Sequence, residues 1–130
     1  MLVIFRRYGN VERMVPSEIL DMISYFIRYR GSSSEPEVFR AHYENQHAEI
    51  LRRFPKIRSL ILHQPALWSD PMPVQRGESF LLAQMEFSSI DDLDIALRSD
   101  ARREAREDFR RFPAFSGEVT HEAMIGKVVF

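Results

Sequence analysis

The chain has no cysteine among its 130 residues, which excludes disulfides, thiolate zinc sites, iron–sulfur clusters and cysteine nucleophiles. It also lacks an excess of either charge: 18 Lys and Arg stand against 19 Asp and Glu, a formal net charge of -1. That balance, and the lack of an Arg/Lys-Gly-Phe-type signature on any strand, argues against a nucleic-acid partner. No apolar run approaches the ~20 residues that a membrane span requires, so no membrane partner is expected. Met1 to Arg7 place a short apolar run ahead of Arg6-Arg7, the reverse of a secretory signal, and a cytoplasmic location is expected. No internal repeat or low-complexity tract interrupts the chain. What is present is globular: 45% apolar, 28% charged and 12% aromatic residues, enough for one domain with one modest core.

Residues 1–20 are mixed in character and read as an N-terminal extension, either an added strand plus linker or a docked segment. From 21 to 130 the pattern is regular. Met22 to Tyr29 is β-branched and aromatic, as suits a strand, and Gly31 with Ser32 to Ser34 breaks it. Ser34-Glu-Pro-Glu37 reads as a capping box with proline in the first turn, opening a helix that Pro55 stops. Ile57 to Gln64 is a second strand, followed by a proline-rich loop from Pro65 to Glu78. Phe80 to Phe87 is a third strand. Ser89 and Asp92 then cap a helix over Ile90 to Arg98, and Ala101, Ala105 and Phe109 recur at helical spacing up to Pro113. The Arg/Glu-rich remainder of that last helix reads as a solvated face. Glu118 to Val129 supplies the final strand.

The order β-α-β-β-α-β is the ferredoxin-like arrangement, an α+β fold with an antiparallel sheet and both helices on one face. Alternation along the third strand puts Leu81, Ala83, Met85 and Phe87 toward the helices, and Phe80, Leu82, Gln84 and Glu86 on the other face. The second set is apolar at one end and polar at the other, which suits the wall of a cavity that a second copy closes, two sheets facing each other around shared space. A homodimer is therefore expected.

One histidine falls where a polar residue is not wanted. At 100° per residue, Phe39, Tyr43, Ile50 and Phe54 occupy a sector about 60° wide, and Leu51 extends it. His47 lies inside that extended sector and should face the sheet. His42 lies about 140° from His47 on a regular α-helix, on the flank, so the two do not form an i,i+4 metal pair. Imidazole changes charge near neutral pH, so an inward His47 is a candidate general acid or base; the alternative is a core histidine with satisfied nitrogens. Tyr43, Gln84, Glu86, His63 and Trp68 are candidate substrate-binding residues. Tyr43 stands one turn before His47, and Trp68 sits in the proline-rich loop. No metal ligand set stands out. No cofactor is expected, although four histidines leave heme open.

The stretch Phe39-Arg-Ala-His-Tyr-Glu-Asn-Gln-His47-Ala-Glu-Ile, ending in Phe54-Pro-Lys-Ile-Arg-Ser, resembles the signature of the EthD family, named for ethyl tert-butyl ether degradation. Met85-Glu-Phe-Ser-Ser-Ile and Asp108-Phe-Arg-Arg-Phe resemble its later blocks. The resemblance covers roughly Met22 to Val128. It implies a dimeric α+β barrel with an apolar pocket between sheet and helices, and it carries the family's helix histidine onto His47. The relatives it brings in include methylmuconolactone isomerases, polyketide cyclases and cofactor-independent oxygenases. Two features of those isomerases are missing: their strand tyrosine is Leu60 here, and their loop histidine has no counterpart in Trp68-Ser-Asp-Pro-Met-Pro. The expectation is a small-molecule enzyme of isomerase, lyase/cyclase or cofactor-independent oxygenase type. It would act by proton transfer on an aromatic, lactone or polyketide-like compound. The alternative is a non-catalytic protein of a degradation pathway that binds a small apolar or aromatic ligand.

Overall fold

The computed structural model describes the backbone of residues 3–8, 11–16 and 21–130, and side chains from Met22 onward. Ahead of residue 21, β1 (Val3–Tyr8) and β2 (Val11–Pro16) pair antiparallel. The linker expected before residue 21 lies outside the described residues.

The other strands are β3 (Asp21–Ser33), β4 (Ser59–His63), β5 (Leu81–Phe87) and β6 (Phe115–Lys127), in the antiparallel order β4-β5-β3-β6. With the helices between them this is the expected ferredoxin-like α+β arrangement. β3 and β6 run further toward the Gly31–Gly117 end than composition suggests, because they pair over thirteen residues. Gly31 and Gly117 face each other in that ladder at φ of 143° and 147°. A Cβ on either would collide with the carbonyl oxygen of Ser116 or of Arg30, so two glycines let the strands continue past the break assigned to Gly31.

The first helix is one rod in three parts: α1 (Pro36–His42), a π-helical turn (Tyr43–His47) and α2 (Ala48–Arg52). Pro36 occupies its first turn as expected, but the capping box on Ser34 does not form. Glu35 is the N-cap without a side-chain bond, and its N–H instead donates to Ser33 Oγ at 3.2 Å. The capping expected for α3 (Ile90–Leu97) is present, with Ser89 Oγ accepting from the Asp92 N–H at 3.1 Å. α4 (Asp100–Asp108) opens on Ser99 in the same way and tightens into a 3₁₀ turn at Phe109–Arg111.

Burial follows the alternation in β5: Leu81, Ala83, Met85 and Phe87 are buried, while Leu82, Gln84 and Glu86 are half-buried. Phe80 departs from it. It precedes the strand and turns to pack edge-on against Phe39, centroids 5.1 Å apart, instead of joining the open face. The core lies between the sheet and the helices, where Phe39, Tyr43, Leu51, Leu81, Met85 and Phe87 are the largest fully buried side chains.

Candidate active site

His47 is 5% exposed and faces the sheet, as its sector requires. Its Nδ1 lies 2.8 Å from Asp108 Oδ2, and His42 Nε2 lies 2.9 Å from the same oxygen. A carboxylate only accepts, so both imidazoles donate N–H to it, and His47 keeps its Nε2 lone pair. The separation of the two histidines expected from α-helical geometry is therefore corrected. The Ala48 N–H reaches back to the Tyr43 carbonyl, an i→i+5 bond. This wider turn brings residues five apart to nearly the same side of the rod, as π-bulges do at functional sites.

Asp108 is 3% exposed and closes the C-terminal end of α4, where the helix dipole disfavours a negative charge. Two imidazole N–H groups offset that cost, and Arg111 reaches the outer oxygen at 3.3 Å. Burial pushes this carboxyl upward, but the hydrogen bonds from His47 and His42 outweigh it and hold Asp108 below the usual carboxylate value. Burial likewise lowers His47 from 6.5, against the raising influence of Asp108, so the ring is neutral at neutral pH. Phe112 packs against both imidazoles, with centroids 4.3 Å from His42 and 5.1 Å from His47, and fixes their planes. Arg53 bonds both oxygens of Glu104 at 2.8 Å, tying the end of α2 to α4 and so His47 to Asp108.

The His47 ring lines a cavity of about 300 Å³ between sheet and helices, at the small end of ligand pockets. Ile27, Leu51, Phe54 and Met85 supply apolar wall. The polar wall is Tyr25, Tyr29, His121, Arg102 and Arg106. Tyr25 Oη and His121 Nδ1 share a hydrogen bond of 2.7 Å across adjacent strands. Burial pushes the Tyr29 phenol up to about 12 and Tyr43 well above its ordinary value, so both stay protonated.

The remaining sequence candidates are not brought together here. Tyr43 is fully buried and packs against the His47 ring at 4.7 Å between centroids; it supports the ring from behind and does not line the cavity. Gln84 and Glu86 alternate onto the opposite sheet face, away from His47. Gln84 there bonds Ser24 and accepts from His63 at 3.0 Å, and Glu86 stands between Ser24 and Ser59. His63 and Trp68 flank a separate shallow depression near the proline-rich loop, where the Arg76 guanidinium lies 4.3 Å from the Trp68 ring. The residues that sequence reasoning passed over are His42, Asp108, Arg102 and Arg106. Asp108 left a signal: at 100° per residue it falls about 20° from Ala101, at the edge of the Ala101–Ala105–Phe112 sector, and a carboxylate beside an apolar face needs a partner. Both arginines lie on one flank of that sector; Arg106 is exposed, as a solvated face requires, but Arg102 is half-buried, and both line the cavity. Among the described residues, no group of three or more His, Asp or Glu side chains is placed to hold a metal ion.

Comparison with known proteins agrees with this architecture. The family described as EthD domain matches residues 32–116. An EthD family protein from Bacillus halodurans superposes with a TM-score of 0.58 at 22% identity, over 82% of this chain and 98% of that one. A monooxygenase from Streptomyces coelicolor, solved with the ligand nanaomycin D, gives 0.56 at 14% identity over 88% and 94%. A protein of unknown function from Bacteroides fragilis, described as dimeric and ferredoxin-like, gives 0.53 at 10% identity over 82% and 96%. A search of the curated proteins finds no match.

Proposed function

Because this chain belongs to the EthD family, we propose that it is a small-molecule enzyme that acts by proton transfer on an aromatic, lactone or polyketide-like compound. The observation that carries this reading is His47: a neutral imidazole, oriented through Nδ1 by a buried carboxylate, on the wall of a cavity of about 300 Å³. Nε2 takes a proton from an acidic C–H or O–H of the bound compound. Asp108 stabilises the imidazolium that forms, and the proton is returned to another atom of the same molecule or of an intermediate. Isomerisation, cyclisation and cofactor-independent oxygenation all begin with that abstraction. A relative of the same fold that carries a small ligand supports a ligand in this fold.

Turnover of a panel of enol lactones and small phenols, followed for the wild type and His47→Gln, tests the assignment. Loss of at least about 100-fold in kcat is expected, the low end of what a positioned acid–base group contributes. Equal turnover by both proteins, or none by either, overturns it.

We infer also that two copies pair through the open sheet face. That face mixes Phe26, Leu82, Ile61 and Met124 with charged neighbours, and Ile61 and Met124 are 41% and 52% exposed in the single chain. The relative described as dimeric supports the pairing.

A further inference from the structure

Along the last two helices, Arg98, Arg103 and Arg111 each sit against a carboxylate, of Asp94, Asp100 and Asp108 respectively. Arg102 and Arg106 have no such partner: among the described residues neither side chain makes an ion pair or a hydrogen bond, and both line the His47 cavity. Among the described residues Arg110 makes no ion pair either, but it lies outside that lining. Arg102 and Arg106 are one turn apart on the same face of α4, a spacing at which like charges repel. Among the described residues, then, a positive pair without a counter-charge stands at a cavity wall. Its field reaches the facing strand β6, where partial burial and then these two guanidiniums keep the His121 pKa below the usual histidine value. Arg106 is exposed and Arg102 half-buried, so the pair stands at the mouth, with the apolar wall and His47 further in.

We propose that Arg102 and Arg106 bind a carboxylate of the substrate, which is then a small ring compound bearing an acid group. Guanidinium groups suit this because their paired N–H donors match the two carboxylate oxygens. The ring lies on Ile27, Leu51, Phe54 and Met85, and the acid group stays at the mouth, where its desolvation is incomplete. This substrate class rests on the catalytic reading of the same cavity, but the binding it predicts does not require proton transfer.

Calorimetric titration with naphthoate and with its uncharged counterpart naphthamide separates the two. The wild type should hold naphthoate at least about tenfold tighter than naphthamide, as hydrogen bonds to a charged group imply. The double variant R102Q/R106Q should lose that preference while its affinity for naphthamide stays the same. R103Q, whose arginine pairs with Asp100, should retain the preference, and so should H47Q. Equal affinity for the two compounds, no saturable binding of either, or a preference that survives R102Q/R106Q overturns the assignment. If the preference is missing but H47Q abolishes turnover, only the carboxylate site falls. If the preference behaves as stated but turnover ignores His47, the catalytic reading falls and the anion site remains.

Discussion

Asp108 is the residue on which the candidate chemistry turns, since one of its oxygens accepts from two imidazoles. Replacing it by Asn keeps the shape but removes the charge that stabilises an imidazolium. The same carboxylate raises the His47 pKa against the larger lowering influence of burial, so Asp108→Asn should move that pKa further down. The acid limb of kcat/KM should accordingly lie below pH 6.5 in the wild type and lower still in the variant, with kcat reduced on the order of 100-fold. A residue with a purely structural role would not shift that limb. Stability follows with the same sign. The folded state holds His47 below its unfolded value, so the unfolded chain binds more protons in the window between the two values. Stability is complete above the unfolded value and falls as pH drops through the folded one. Urea midpoints between about pH 5 and about pH 7.5 should show a component of this loss that disappears in His47→Gln. The inward burial of His47 was legible from its angular position. Asp108 was legible in principle, as a charge on an apolar helix face, but naming its partner requires knowing how α1 and α4 pack.

At the scale of elements, periodicity was a good guide and local geometry was not. β5 shows its two faces because hydrophobic and polar positions alternate strictly, and the Ser89 cap appears where Ser and Asp are three apart. The Ser34 signature has the same spacing and fails, because Ser34 is drawn into the sheet end, where its N–H donates to the Ala114 carbonyl at 3.2 Å. The π turn is silent in the sequence. Tyr-Glu-Asn-Gln-His contains neither proline nor glycine, and the shift from an i→i+4 to an i→i+5 bond leaves composition untouched. The β3–β6 ladder makes a sharper prediction. At Gly117 a side chain would need a positive φ and would strike the Arg30 carbonyl oxygen. Gly117→Ala should cost at least about 2 kcal/mol, read as a lowered urea midpoint with unchanged slope. A change of a few tenths would show that the two strands part easily there.

For the whole molecule, the topology was legible because the order of six elements admits few arrangements, and the helices must cover one face of the sheet. Which face carries the candidate site was only partly legible. Gln84, Glu86 and His63 look as suitable for a site as Tyr25 and His121 until strand register assigns each to a side. The open face predicts an assembly. Light scattering at micromolar concentration should give twice the 15.3 kDa chain mass, and a charge placed at Ile61 or Met124 should shift it toward the single-chain value. A mass of one chain in the wild type counts against pairing through this face. In such an assembly the two reaction chambers would stand back to back, each walled by its own polypeptide. A mixed particle with one disabled subunit should then work at half speed, and neither chamber should sense whether the other is filled.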